Sequence, residues 1–143
     1  MKNWLLLCFF ALLSCGNKAS NDEMTTTVFI TSDIWTRGEG FDDDNGDGVF
    51  ESSGEECDFD NHWTFLNTGK LKVNDGATVC DPDTPYNLEV SWELFDSDAK
   101  LRLFTDLSEL VYQIEELDEH KFSLRQLDPK SLAPMPARLI LTR

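Results

Sequence analysis

The sequence predicts an all-β fold, a small up-and-down antiparallel β-barrel of about eight strands. From Thr25 onward apolar residues alternate with polar ones at period two, and turn residues recur about every eight to twelve positions. No stretch carries the helical period over the length of a long amphipathic helix. A run of short antiparallel strands exposes two edges, and closing the sheet on itself removes both.

The elements follow in order. Thr26 to Trp35 is a β-branched run and reads as the first strand. His62 to Leu66 puts Trp63 and Phe65 on one face, and Asn67-Thr68-Gly69 turns the chain into Lys70 to Val73. Asn74-Asp75-Gly76 is a further turn, followed by the loop Cys80-Asp81-Pro82-Asp83-Thr84-Pro85. Leu88, Val90, Trp92 and Leu94 share a face, with Glu89, Ser91 and Glu93 opposite. Asp96-Ser97-Asp98 turns into Leu101 and Leu103, with Arg102 opposite. Leu107 to Leu117 has some helical character, but Val111, Tyr112 and Ile114 favour a strand. Asp118-Glu119-His120 leads into Phe122 and Leu124, with Lys121, Ser123 and Arg125 outward. After the Pro129 to Pro136 stretch, Leu139 and Leu141 close the chain.

The N-terminal end has a different character. Lys2 precedes the apolar run Trp4 to Leu13, and small residues follow, which are the parts of a secretory signal. A run of about ten apolar residues is half the roughly 20 that a membrane-spanning helix needs. Leu12-Leu13-Ser14-Cys15-Gly16 resembles the lipobox of bacterial lipoproteins. That resemblance implies cleavage before Cys15, diacylation of its thiol and a membrane partner reached through the N-terminal lipid. Several acyl chains together give stable anchoring. The chain thus divides into a signal peptide over 1–14, a lipidated Cys15 with a polar tether over 15–27, and a barrel domain over 28–143. Gly16 rather than Asp follows Cys15, so the outer membrane is the expected address, on either face.

Loss of residues 1–14 removes Lys2 and no acid, taking the formal charge from −15 to −16. So acidic a chain repels nucleic acid and anionic lipid, which excludes both as partners. Of the four cysteines, Cys8 lies in the signal and Cys15 carries lipid, leaving Cys57 and Cys80 in an oxidising compartment. A disulfide between them closes about 24 residues and contributes roughly 3 kcal/mol in the chain-entropy view. A zinc site is not expected, for want of a CxxC or a His pair.

Cys57-x-x-Asp60-Asn61, Phe65-x-x-x-Gly69, Gly76-x-x-x-Cys80 and Trp92-x-Leu94 together resemble the lipocalin-like domain of Bacteroidetes lipoproteins. The likeness covers about Cys57 to Leu127, and implies an eight-stranded antiparallel barrel. The Gly-x-Trp opening of true lipocalins is absent, so transport of a small ligand is an analogy of fold alone.

Between Glu39 and Asp60 there are ten acids and no Lys or Arg. Within that stretch Asp43, Asn45 and Asp47 alternate as in the first half of an EF-hand loop, with Val49 offering a carbonyl and Glu51 a further oxygen. Position twelve of such a loop is Gly54, so Glu55 or Glu56 would have to close it. The alternative is a polar turn; calcium is the only cofactor candidate, and none is required.

Catalytic patterns are thin. His62 and His120 lack a nucleophile motif, and carboxylate pairs arise by chance in so acidic a chain. A non-enzymatic protein is expected. Trp63, Phe65, Trp92, Tyr112 and Phe122 point inward on their strands, where they either line a site for a small apolar ligand or fill the barrel. The first arrangement makes the protein an anchored binding barrel, with an open mouth at Trp63, Trp92 and Tyr112. The second makes it a structural or interaction module that acts through its acidic loops.

Overall fold

The computed structural model describes residues 25–43, 47–127 and 136–143. The signal peptide, Cys15, most of the tether, Asn45 and most of the Pro129 to Pro136 stretch therefore lie outside the described residues.

The described chain begins with a short helix, α1 (Thr26–Thr31), and continues through β1 (Trp35–Asp42), β2 (Glu51–Ser52), β3 (His62–Leu66), β4 (Lys70–Asn74) and β5 (Asn87–Phe95). It ends with β6 (Lys100–Phe104), β7 (Glu109–Leu117), β8 (Lys121–Gln126) and β9 (Arg138–Thr142). From β3 onward each strand pairs antiparallel with the next. β1 closes the ring by pairing with β3 at Trp35–Trp63 and with β9 from Thr36–Thr142 to Phe41–Arg138. The result is a closed eight-stranded up-and-down barrel. β2 is a ninth, outlying strand that pairs with the far end of β1 at Phe41–Ser52 and Asp42–Glu51.

Two parts of the reading from sequence need correction. Thr26 to Trp35 is not a strand: α1 occupies most of it and β1 starts only at Trp35. The Thr25 hydroxyl accepts the Val28 amide at 3.3 Å and caps the helix, and Ile30 is fully buried. The Trp35 indole donates to the Ile30 carbonyl at 2.9 Å, so tertiary packing and a cap outweigh β-branched propensity. The first barrel strand runs instead through Trp-Thr-Arg-Gly-Glu-Gly-Phe-Asp. Its inward positions hold Trp35, Arg37 and Gly40, and a bulge between Arg37 and Glu39 shifts the parity midway, which erases the alternation. Ser123 also departs from expectation, since this short side chain, between Glu116 and Ile140 in register, is buried.

The two ends of the barrel differ. At one end lie α1 and the turns β3–β4, β5–β6 and β7–β8. Here the Arg143 guanidinium sits 4.3 Å from the Trp35 ring and 4.6 Å from the Phe29 ring. It also donates to the Glu119 carbonyl at 2.8 Å and to Ser32 Oγ at 2.9 Å, and so ties helix, last strand and turn together. The other, loop end carries the β1–β2 hairpin, a 3₁₀ turn over Glu56–Asp58, the long β4–β5 loop and the entry to β9.

Between the ends the interior is packed. Trp35 meets Phe122 at 5.5 Å between ring centroids, Phe65 meets Trp92 edge-on at 5.4 Å, and Phe65 meets Phe122 at 5.9 Å. Leu71, Leu101, Leu124, Leu139 and Leu141 fill the layers around them. Among the described residues no helix is long and apolar enough to cross a membrane.

Candidate functional site

The loop end is organised around one buried cation. Period two on β1 turns Arg37 inward, where it is 9% exposed. Its Nη2 donates to the Ser53 carbonyl at 3.1 Å, its Nη1 faces Asp58 Oδ2 at 3.6 Å, and its guanidinium lies 5.9 Å from the centre of the Phe59 ring. Two glycines make room for it. A Cβ on Gly40 would come within 2.6 Å of Nη2, and one on Gly54 within 2.5 Å. Gly54 also has φ +105°, a conformation that side-chain-bearing residues rarely adopt.

Asp58 is fixed in turn. Its Oδ2 accepts the Glu55 amide at 2.9 Å, while the Glu55 carboxylate accepts the Asp58 amide, a reciprocal cap on the 3₁₀ turn. The Asn61 carbonyl accepts the Arg37 amide at 2.9 Å, and Asn61 Nδ2 reaches Asp58 Oδ1 at 3.5 Å. Cys57 and Cys80 pair at disulfide distance, Cα atoms 5.3 Å apart, joining this turn to the β4–β5 loop. Asp60 Oδ2 accepts the Thr78 amide at 2.8 Å beside Gly76, where no Cβ would fit against the Asp60 carbonyl.

Under these loops is a cavity of about 270 Å³ bordered by Arg37, Asp58, Asn61, Trp63, Tyr86 and Pro136. Burial, with Asp58 adding its negative charge, pushes the Tyr86 hydroxyl above its usual pKa. Asn61 is 4% exposed and Trp63 3%. Arg37 Nε, Asn61 Oδ1 and Trp63 Nε1 are all shielded from solvent and have no hydrogen-bond partner among the described residues. Asp60 Oδ1, Arg102 Nε, Ser123 Oγ and Arg138 Nε are unmatched in the same way, at a cost of about 1–3 kcal/mol for each such atom.

The five aromatic residues expected inside the barrel, Trp63, Phe65, Trp92, Tyr112 and Phe122, all belong to the packed core. Two of their polar handles are satisfied: Trp92 Nε1 donates to the Leu66 and Lys70 carbonyls, each at 3.1 Å, and the Tyr112 hydroxyl to the Pro136 carbonyl at 3.3 Å. Trp63 alone of the five borders the cavity, with its indole N–H unmatched.

The acidic loop uses its oxygens locally. Asp43 Oδ1 accepts the Asp47 amide at 3.0 Å and Oδ2 the Gly48 amide at 2.9 Å, and Asp47 Oδ1 accepts the Val49 amide at 2.8 Å. Phe50 and Val49 stay exposed, and Glu51 lies on the exposed β2. Among the described residues no three carboxylates bring an oxygen each within 4.8 Å of one another; the one grouping at that range is Glu55 with the paired Cys57 and Cys80. Glu55 is thus held at the 3₁₀ turn rather than at Asp43 and Asp47. His62 is exposed at the start of β3, and His120 is exposed in the β7–β8 turn beside an open groove lined by Phe29, Ser32, Asp33 and Arg143.

Sequence reasoning missed Arg37, Asp58 and Asn61. One signal was available: Arg37 falls two residues after Trp35, so a strand through both turns a cation toward the core. No family model matches this chain, and no curated protein or solved structure does either.

Proposed function

We propose that this chain is a non-enzymatic module of the cell envelope, held at the outer membrane by lipid on Cys15, that acts through the loop end of a filled barrel. The observation that carries the reading is the packing of Phe65, Trp92, Tyr112 and Phe122 in the core, in the space an apolar ligand would need. At the other end, α1 and Arg143 cover the barrel. The loop end by contrast combines a buried cation, a cavity and loops braced at disulfide distance, and the lipid address makes an oxidising compartment consistent with that pair. The lipocalin-like resemblance of Cys57 to Leu127 supports the same picture of an antiparallel barrel.

Expression of the full chain in a lipoprotein-processing bacterium tests the anchor. The wild type is expected in the detergent phase with an acylated Cys15 at its N-terminus, and Cys15→Ala in the aqueous phase. A wild-type chain recovered unacylated from the aqueous phase would overturn the proposal.

A further inference from the structure

We propose that the loop end docks a cationic segment of a partner protein, with Leu107 as the apolar anchor of the interface. This deepens the reading that the protein acts through its loop end, and is independent of the lipid anchor.

The up-and-down order brings four connections to this end: the β1–β2 hairpin with its 3₁₀ turn, the β4–β5 loop, the β6–β7 turn and the entry to β9. Nine large hydrophobic side chains are exposed among the described residues, and six of them, Val49, Phe50, Val79, Tyr86, Leu107 and Leu127, stand on these connections. Single apolar side chains scattered over a surface are ordinary, but their concentration at one end marks a surface that meets a partner. Leu107 is the extreme case, at 97% exposed. The turn that carries it is ordered without help from the leucine. The Thr105 amide donates to the Ser108 carbonyl at 2.9 Å, and the Thr105 hydroxyl accepts the Leu107 and Ser108 amides, each at 3.2 Å. A position that turn chemistry would give to a polar residue or glycine thus holds out a leucine on a fixed backbone. Leu127 is its neighbour on the rim, since its amide donates at 2.8 Å to the carbonyl of Val111, on the strand that leaves this turn.

Charge names the partner. The connections over 42–61, 75–86 and 105–108 hold thirteen Asp or Glu and no Lys or Arg. At the opposite end the turns run into Lys70, Lys100 and Lys121, and Arg143 lies against Trp35 and Phe29. A surface that sets apolar side chains among charges of one sign fits a partner of the other sign with apolar groups of its own. A second copy of this chain would set acid against acid, and an anionic membrane is repelled in the same way. The chain also enters the fold through α1, so the segment leading back to Cys15 joins the barrel at the end away from these acids.

The test places the full processed chain in nanodiscs of zwitterionic lipid and titrates fluorescent peptides of alternating lysine and leucine, lysine and serine, or glutamate and leucine. Anisotropy is read against empty nanodiscs, which subtract binding to lipid. The lysine–leucine peptide is expected to bind saturably, and the other two at least about ten-fold more weakly. Leu107→Ser should weaken binding about ten-fold with the melting temperature unchanged, because its side chain lies outside the core. Val28→Ser, at an exposed apolar position of the opposite end, should bind as wild type does. Cys15→Ala should also bind as wild type, which separates this inference from the anchor. Equal affinity for the lysine–serine peptide would reduce the effect to charge alone and overturn the proposal. So would wild-type binding by Leu107→Ser, or self-association of the chain that Leu107→Ser abolishes.

Discussion

Substituting Gly54 by Ala tests whether the loop end is built around Arg37. The new Cβ would sit 2.5 Å from Arg37 Nη2 and 3.1 Å from Asp58 Oδ2, on a residue with φ +105°. The backbone conformation alone costs an L-residue about 1–3 kcal/mol. Displacing the guanidinium weakens a charged hydrogen bond to the Ser53 carbonyl, worth about 1.5–3 kcal/mol, and loosens the Asp58 pair. The expected loss is therefore about 3–5 kcal/mol, read from equilibrium unfolding in urea at neutral pH. Gly48→Ala is the internal control, because Gly48 has φ +84° and nothing within 4 Å of the added Cβ, so it carries only the backbone part. In an Arg37→Met background the additional cost of Gly54→Ala should fall to that of the control, the coupling expected of residues in contact. A Gly54→Ala loss no larger than that of Gly48→Ala, or one unchanged by Arg37→Met, would refute the cradle.

Other perturbations reach the rest of the fold. Replacing both Cys57 and Cys80 by Ala should lower stability by roughly 3 kcal/mol, measured by denaturant midpoint against the oxidised chain. Arg143→Ala removes cation–π contacts to Trp35 and Phe29 together with two hydrogen bonds, and should cost about 1–2 kcal/mol, with faster amide exchange confined to α1 and the β7–β8 turn. Burial raises the Tyr112 hydroxyl well above its ordinary pKa of 10.0. Its contribution is thus complete below that value and is lost as pH rises beyond it, so Tyr112→Phe should flatten the alkaline limb of the stability curve. Millimolar calcium should leave the melting temperature within a degree of that in chelator, since among the described residues no three carboxylates converge at the acidic loop; a rise of several degrees would mean that the loop binds the ion.

What the sequence made legible follows from period two. β3, β4, β5, β6 and β9 alternate buried with more exposed positions, and each was readable as a strand for that reason. β1 was hidden because its inward positions are Arg37 and Gly40 and its bulge reverses parity, so a pattern sought in apolar residues has nothing to find. α1 was hidden because Thr-Thr-Val-Phe-Ile-Thr has strand propensity, and only the Thr25 cap and the burial of Ile30 against the barrel decide otherwise. The inward direction of Trp63, Phe65, Trp92, Tyr112 and Phe122 was readable, but whether they line space or fill it depends on how strands stagger around the ring, which alternation does not encode. The same limit applies to the site: Trp63 was legible as inward, while its unmatched N–H emerges only once Arg37 and Asn61, distant in the chain, border the same cavity.

Native mass spectrometry of the full chain released from its own membrane tests the central claim most directly, that the barrel is filled and the protein works from its loop end. The account predicts a mass equal to the chain from Cys15 with its lipid and one disulfide, and no fatty acid or other long apolar molecule released on denaturation. An apolar ligand retained in the folded ion and freed by unfolding would contradict it.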